Sequence, residues 1–327
     1  MTSDNIIRIS GNLQSVDWRE LPRPQCVVTS PPYWRKREYP IAPVWYGNHK
    51  DMSGHDHDAD EHGYCRCGAW QGQLGWENSP QEFIDHLASL LDSIPLKDDG
   101  IMWVVIDDTY ANQWNGNAAS KPKDIKPKDL ALIPERLAIA MQQKGWWVRS
   151  REVWHKTNGM PHSVKDRPQH FHETIWMFTR SPRYKYRYEN LKIPVQQHSM
   201  ARQTRRASEG KYFRKAAETG GLQTISLPRG MNRRRVGGDY RGVRDVWDMS
   251  TAMNHSDHIA PMPIRIAENC ILLSTDPDDY VLDPFAGTGT TLRAALRLNR
   301  RAMGIDADPD FLEYSASQEF DQDRISL

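Results

Sequence analysis

Cysteine is scarce. Four residues in 327, Cys26, Cys65, Cys67 and Cys270, exclude a disulfide scaffold and point to a reducing compartment. Cys26 and Cys270 sit in apolar segments and read as core. Long hydrophobic runs are also missing: none reaches the roughly 20 residues that a membrane-spanning helix needs. The first residues, Met1-Thr2-Ser3-Asp4-Asn5, lack the basic stretch and apolar core of a secretory leader. A soluble, cytoplasmic protein with no membrane partner is expected. No internal repeat is evident. Net charge is nearly absent, at +1, but it is unevenly spread. Between Arg183 and Arg244 stand 12 Arg and 4 Lys against 4 acids, a net of +12, so the remainder carries −11. A basic block on an acidic chain is either a footprint for a polyanion or a solvated, partly disordered surface segment.

Two motifs are present instead. Val27-Val28-Thr29-Ser30-Pro31-Pro32-Tyr33-Trp34 reads as a buried strand that stops at two prolines. Proline has no N–H to continue a ladder, so the carbonyls there stay available as acceptors. With the Ser30 hydroxyl and the flat face of Tyr33, this suits a planar heterocycle bearing an amino group; on its own the motif reads equally as a Pro-rich turn after a strand or a polyproline ligand. The second motif, Tyr280-Val281-Leu282-Asp283-Pro284-Phe285-Ala286-Gly287-Thr288-Gly289-Thr290-Thr291, reads as strand, Gly-rich turn and helix start. Gly287 and Gly289 allow positive φ and close approach of backbone to a ligand. The following strand, Arg301 to Asp306, ends in a carboxylate placed to hold ribose hydroxyls.

Together these motifs resemble the β subgroup of DNA amino-methyltransferases, which use S-adenosylmethionine. The tetrad stands here as Ser30-Pro31-Pro32-Tyr33, and the Phe-x-Gly-x-Gly loop as Phe285-Ala286-Gly287-Thr288-Gly289. The resemblance implies a circularly permuted, Rossmann-like α/β fold, with a mostly parallel sheet carrying one antiparallel strand near an edge. Seven strands are counted from the sequence: 6–10, 26–30, 101–106, 146–154, 173–179, and those holding Asp283 and Asp306. Residues 1–182 and 247–327 would form the catalytic domain, and 183–246 the target-recognition region. Ser15 to Leu21 reads as a short helix. Ser79-Pro80-Gln81-Glu82 reads as a capping box opening another helix. A third is expected to be capped by Asp129, and a fourth to start at Pro263.

The resemblance implies catalysis by Ser30, Pro31, Pro32 and Tyr33. The Ser30 hydroxyl and the Pro31 carbonyl would accept the amine's N–H groups, while Tyr33 stacks on a flipped base. It implies cofactor contacts from Asp283, Pro284, Phe285, Ala286, Gly287, Thr288, Gly289 and Asp306. Asn12 would stand where the family has a carboxylate near the adenine. Ala260, within His258-Ile259-Ala260-Pro261-Met262-Pro263, would line the methionine end. Lys156-Thr157-Asn158-Gly159-Met160-Pro161 resembles a loop near the target base, or is an ordinary turn. Arg205, Arg206, Arg233, Arg234 and Arg235 are the expected contacts to double-stranded DNA.

Ser30 at the first tetrad position resembles cytosine-N4 enzymes more than adenine-N6 enzymes. The alternatives are N6-adenine methylation by the same geometry and a catalytically silent DNA-binding module. Methylation of RNA or protein amides is a third, disfavoured by the basic insert. The subgroup is prokaryotic or phage-encoded and often homodimeric. No nuclease motif is evident, so a restriction endonuclease would be a separate chain. His55, His57, His62, Cys65 and Cys67 could furnish a tetrahedral zinc site. Yet Cys-x-Cys is not the usual Cys-x-x-Cys knuckle, so an unliganded polar loop is the favoured reading.

Overall fold

The computed structural model describes residues 5–47, 57–111, 124–159, 161, 163–191, 193–194, 240–241, 243–251 and 262–310. The chain divides into two units, one of residues 1–187 with 244–327, the other of 188–243. In the second unit the described elements are a 3-10 turn, Tyr188–Asn190, and a short antiparallel pair, 193–194 with 240–241.

In the first unit the strands follow the β-branched and apolar runs. They are β1 (Ile6–Ser10), β2 (Cys26–Thr29), β3 (Val44–Tyr46), β4 (Trp70–Gly72), β5 (Ile101–Ile106), β6 (Trp147–Lys156) and β7 (His172–Thr179). The short pair of the second unit counts as β8 and β9. After it come β10 (Val246–Met249), β11 (Tyr280–Asp283) and β12 (Arg301–Asp306). Eight of these form one sheet in the order β1-β12-β11-β2-β5-β7-β6-β10. All its pairings are parallel except those of β7, which runs antiparallel to both β5 and β6. The seven expected strands are therefore joined by an eighth, β10, at the edge beside β6. β3 and β4 form a separate antiparallel hairpin.

Four described helices cover the sheet: α1 (Pro80–Asp92), α2 (Ile133–Gln143), α3 (Ile264–Ser274) and α4 (Thr290–Arg297). α1 and α2 pack together against Val27, Met102, Val104 and Phe178. The alternate residues face the other way. Trp103 donates its indole N–H to Ser274 Oγ of α3 at 2.7 Å, and Thr291 of α4 donates to Val28 O at 3.2 Å. β5 is buried at every position because both faces are covered, as parallel sheets require.

The local signals at helix starts are only partly obeyed. Glu82 N donates to Ser79 Oγ at 3.1 Å, but one Glu82 oxygen takes the Tyr64 hydroxyl and the other has no partner, so the box is half closed. Asp129 does not cap α2. The residue before the helix is Leu132, at φ +57, and the cap comes from Asp108, whose Oδ1 accepts from Ile133 N at 3.1 Å. The expected helix at Ser15 to Leu21 is instead two 3-10 turns, Leu13–Ser15 and Trp18–Glu20. Pro263 does precede α3, whose Ala267, Cys270, Ile271 and Ser274 are buried.

Candidate active site

The carboxyl ends of the parallel strands meet at one edge of the sheet, where open α/β sheets bind ligands. β2 delivers Thr29 and then the tetrad; β11 delivers Asp283; β12 delivers Asp306; β6 delivers Lys156. Because β7 runs the other way, its first residues reach that same edge. His172 pairs with His155 and Glu173 with Trp154.

The two motifs touch directly. Thr29 Oγ1 donates to Asp283 Oδ1 at 2.7 Å, across 254 residues of sequence. One cleft of about 380 Å³ is lined by Ser30, Pro31, Pro32 and Tyr33 of the tetrad together with Asn12, Asp283, Phe285, Ala286, Gly287, Thr288 and Asp306. Pro284 is buried in the turn and does not line it. Gly289, at φ +76, ends the turn before α4 and is also outside the lining. Ala260 and His258 lie outside the described residues, as do Arg205, Arg206, Arg233, Arg234, Arg235 and His55.

The Gly-rich wall is held by its own acids. Asp306 Oδ2 accepts from Gly287 N at 2.7 Å and Oδ1 from Asp308 N at 2.9 Å. The Asp306 carbonyl accepts from Gly11 N at 2.8 Å, which fixes the turn that carries Asn12. Asp283 Oδ1 also accepts from Phe285 N at 3.1 Å. Burial outweighs these hydrogen bonds and pushes the Asp283 carboxyl up to about 6.

The tetrad leads into a polar relay. Ser30 Oγ donates to Tyr33 Oη at 3.0 Å, and Tyr33 Oη donates to Glu173 Oε2 at 2.5 Å. Glu173 Oε1 pairs with Lys156 Nζ at 2.6 Å. Burial first, then the Glu173 and Asp107 charges, push the Tyr33 phenol well above its ordinary value, so it stays a neutral donor. Beside it Asp107 takes His170 Nε2 at 2.8 Å and Lys36 Nζ. Burial alone would raise the Asp107 carboxyl, but these partners hold it at about 2. Lys36 Nζ also sits 5.3 Å from the centre of the Tyr33 ring.

Glu173, Asp107 and Lys36 were not among the expected site residues. The only sequence signal for Glu173 is a charge at the start of an otherwise apolar strand. Lys156, in the loop that resembles a target-base loop, reaches the cleft, whereas Asn158 Oδ1 is occupied by Thr251, accepting from its N at 2.7 Å and its Oγ1 at 3.1 Å. Away from the cleft, His57, Cys65 and Cys67 converge, with all ligand atoms within 4.8 Å of one another.

The N6/N4 family model described as DNA methylase matches residues 25–317. The chain belongs to the DNA methylase family. It is 32% identical over 310 residues to the type II methyltransferase M.Cfr9I of Citrobacter freundii, covering 90% of this chain and 80% of that one. It is 31% identical over 302 residues to the type II methyltransferase M.SmaI of Serratia marcescens, covering 88% and 80%. Among solved structures, the cytosine-N4-specific PvuII DNA methyltransferase superposes with TM-score 0.54 at 18% identity, over 95% of this chain and 85% of that one. A DNA modification methylase of Thermus thermophilus, complexed with S-adenosyl-L-methionine, gives TM-score 0.53 at 20% identity over 98% and 95%. These likenesses identify the fold of this DNA methylase as Rossmann-like. No helix among its described residues is long and apolar enough to cross a membrane.

Proposed function

We propose that this DNA methylase uses S-adenosylmethionine to methylate the exocyclic N4 of cytosine in duplex DNA. The observation that carries the reading is the shared cleft, whose lining includes both the tetrad and the Gly-rich turn. The wall suits the cofactor chemically. Each Asp306 oxygen takes one backbone N–H and keeps lone pairs for ribose hydroxyls. A Cβ at Gly287 would meet only Phe285 O, at 4.0 Å, so the backbone there presents an open face. When bound, S-adenosylmethionine supplies an electrophilic methyl group on a sulfonium. Asp283 is assigned to the ligand's amino group, and Phe285 and Asn12 to its flat adenosine part.

The tetrad's task is to make a poor nucleophile competent. The lone pair of a base's exocyclic amine is delocalised into the ring. Acceptors that draw its N–H groups to one side pyramidalise the nitrogen and localise that lone pair on the opposite face. Ser30 spends its own hydrogen on Tyr33, so its lone pairs are left for the amine; the Pro31 carbonyl is the second acceptor. The Glu173–Lys156 pair holds Tyr33 in that geometry. Positioning and fixed dipoles thus carry the catalysis, with no strong base required. A base within a duplex cannot reach the cleft, so it is flipped out and stacks on Tyr33, worth about 1–3 kcal/mol.

Residues 183–246 are assigned to target recognition, consistent with their positive charge. The type II designation of the relatives supports modification alongside a separate restriction endonuclease. The reading is tested by mass spectrometry of nucleosides from a plasmid propagated with this chain in a methylation-free host. N4-methylcytosine is expected. N6-methyladenine alone would overturn the base assignment, and unmodified nucleosides the activity.

A further inference from the structure

The β3–β4 hairpin carries chemistry that the methylation reading leaves unused. His57 Nδ1 lies 3.4 Å from Cys65 Sγ and 3.5 Å from Cys67 Sγ. An imidazole nitrogen offers one in-plane lone pair or one N–H, so it can serve one sulfur well, not two. A cation between the three atoms serves all of them. With Zn–S near 2.3 Å and Zn–N of about 2.0–2.1 Å, a tetrahedral zinc ion spaces its N and S ligands about 3.6 Å apart. The two N···S separations match that spacing.

The backbone explains how the unusual Cys-x-Cys spacing becomes usable. In an extended strand the two Cα atoms would stand about 6.7 Å apart. Here the chain turns instead. Cys65 N donates to Ala69 O at 2.7 Å, Gly68 N donates to Cys65 O at 2.8 Å, and Gly68 takes φ +86. Trp45 of β3 lies against the His57 ring, with centroids 4.9 Å apart, and Cys65 is buried.

We propose that His57, Cys65 and Cys67 bind one Zn²⁺, with a further donor or water in the fourth position, as a structural clamp closing the β3–β4 hairpin. The clamp matters to the cleft. Tyr46 of β3, and Gln73 and Leu74 just past β4, line it. Gln73 exchanges two hydrogen bonds with the Tyr39 backbone, both at 2.7 Å, and Gly75 O accepts from Arg35 N at 2.7 Å. The ion would hold the segment that braces the loop following Tyr33. The proposal is independent of which base is methylated.

The test is elemental analysis of the full chain, purified without a polyhistidine tag and dialysed against metal-free buffer. One zinc per chain is expected. In Cys65→Ser and Cys67→Ser the content should fall at least tenfold, while Cys26→Ala, a core control, should keep it. To separate loss of metal from loss of fold in the serine variants, the wild-type chain is also stripped and refilled with Co²⁺. Thiolate-to-cobalt charge transfer and intense tetrahedral d–d bands are expected, with recovery of the thermal midpoint lost on stripping. A wild-type chain without zinc that shows no such bands would overturn the site. So would zinc that persists in both serine variants.

Discussion

At the scale of single residues, Asp283, assigned above to the ligand's amino group, shows what burial does to an acid of the cleft. Its carboxyl is raised to about 6 by burial, against the Thr29 and Phe285 hydrogen bonds that favour the anion. A folded-state pKa above the unfolded one means that the empty protein is more stable, from this group, at low pH. That contribution is lost as pH rises from about 4 through 6. A bound ammonium reverses the preference, because it needs the carboxylate. The affinity for S-adenosylmethionine is therefore expected to weaken by up to about tenfold per pH unit below pH 6, and to level off above about 7. Asp283→Asn should bind more weakly and without that slope. Calorimetric titration across this range checks it, and an unchanged slope in the variant would remove Asp283 from the ligand's amino group. The Gly-rich part of the cleft lining was legible in sequence because Gly, Pro and Asp stand in a contiguous strand-turn-helix pattern. Glu173 was not, because its partner Tyr33 is 140 residues away, and only the antiparallel direction of β7 brings them to one edge.

At the scale of elements, long apolar strands announced themselves and short edge pieces did not. β5 is six consecutive buried residues, which no surface segment would tolerate. β10 is four residues with exposed Val246 and alternating burial, directly after the arginine-rich stretch, so nothing in its composition marks it. The α2 cap departs from the local sequence signal for a related reason. Asp129 is near in sequence, but the hydrogen bond comes from Asp108 at the end of β5, a tertiary contact that local chemistry cannot reveal. The same sheet carries one costly residue. Glu152 of β6 is 6% exposed, its Oε2 has no partner, and burial pushes its carboxyl up to about 7. Its ionisation opposes folding as pH rises from about 4.5 to 7, by as much as about 3 kcal/mol. Glu152→Gln should flatten the stability profile over that range and raise the melting temperature at pH 8. Calorimetric melts of the two chains at several pH values decide this. Parallel profiles would mean that water or a local shift already satisfies the carboxylate.

At the scale of the whole molecule, charge is segregated: a net of +12 between Arg183 and Arg244, and −11 elsewhere. An acidic body is repelled by a polyanion, so affinity for DNA must be concentrated in the basic segment if the chain is to bind at all. Non-specific affinity of this kind comes from release of counterions condensed on phosphates, and log K falls with log salt by about 0.9 per neutralised phosphate. Arginine runs such as Arg233-Arg234-Arg235 suit phosphates better than base edges, because adjacent side chains cannot all enter one groove at bidentate geometry. Replacing all three by alanine should therefore reduce the slope by up to about 2.7 and weaken binding almost equally for cognate and non-cognate duplexes. S-adenosylmethionine binding should be unchanged, since the cleft-lining residues lie in the other unit. Fluorescence anisotropy over a salt series with both duplexes reads slope and discrimination together. An unaltered slope would show that these arginines do not meet phosphates. A loss confined to the cognate duplex would instead make them readers of sequence.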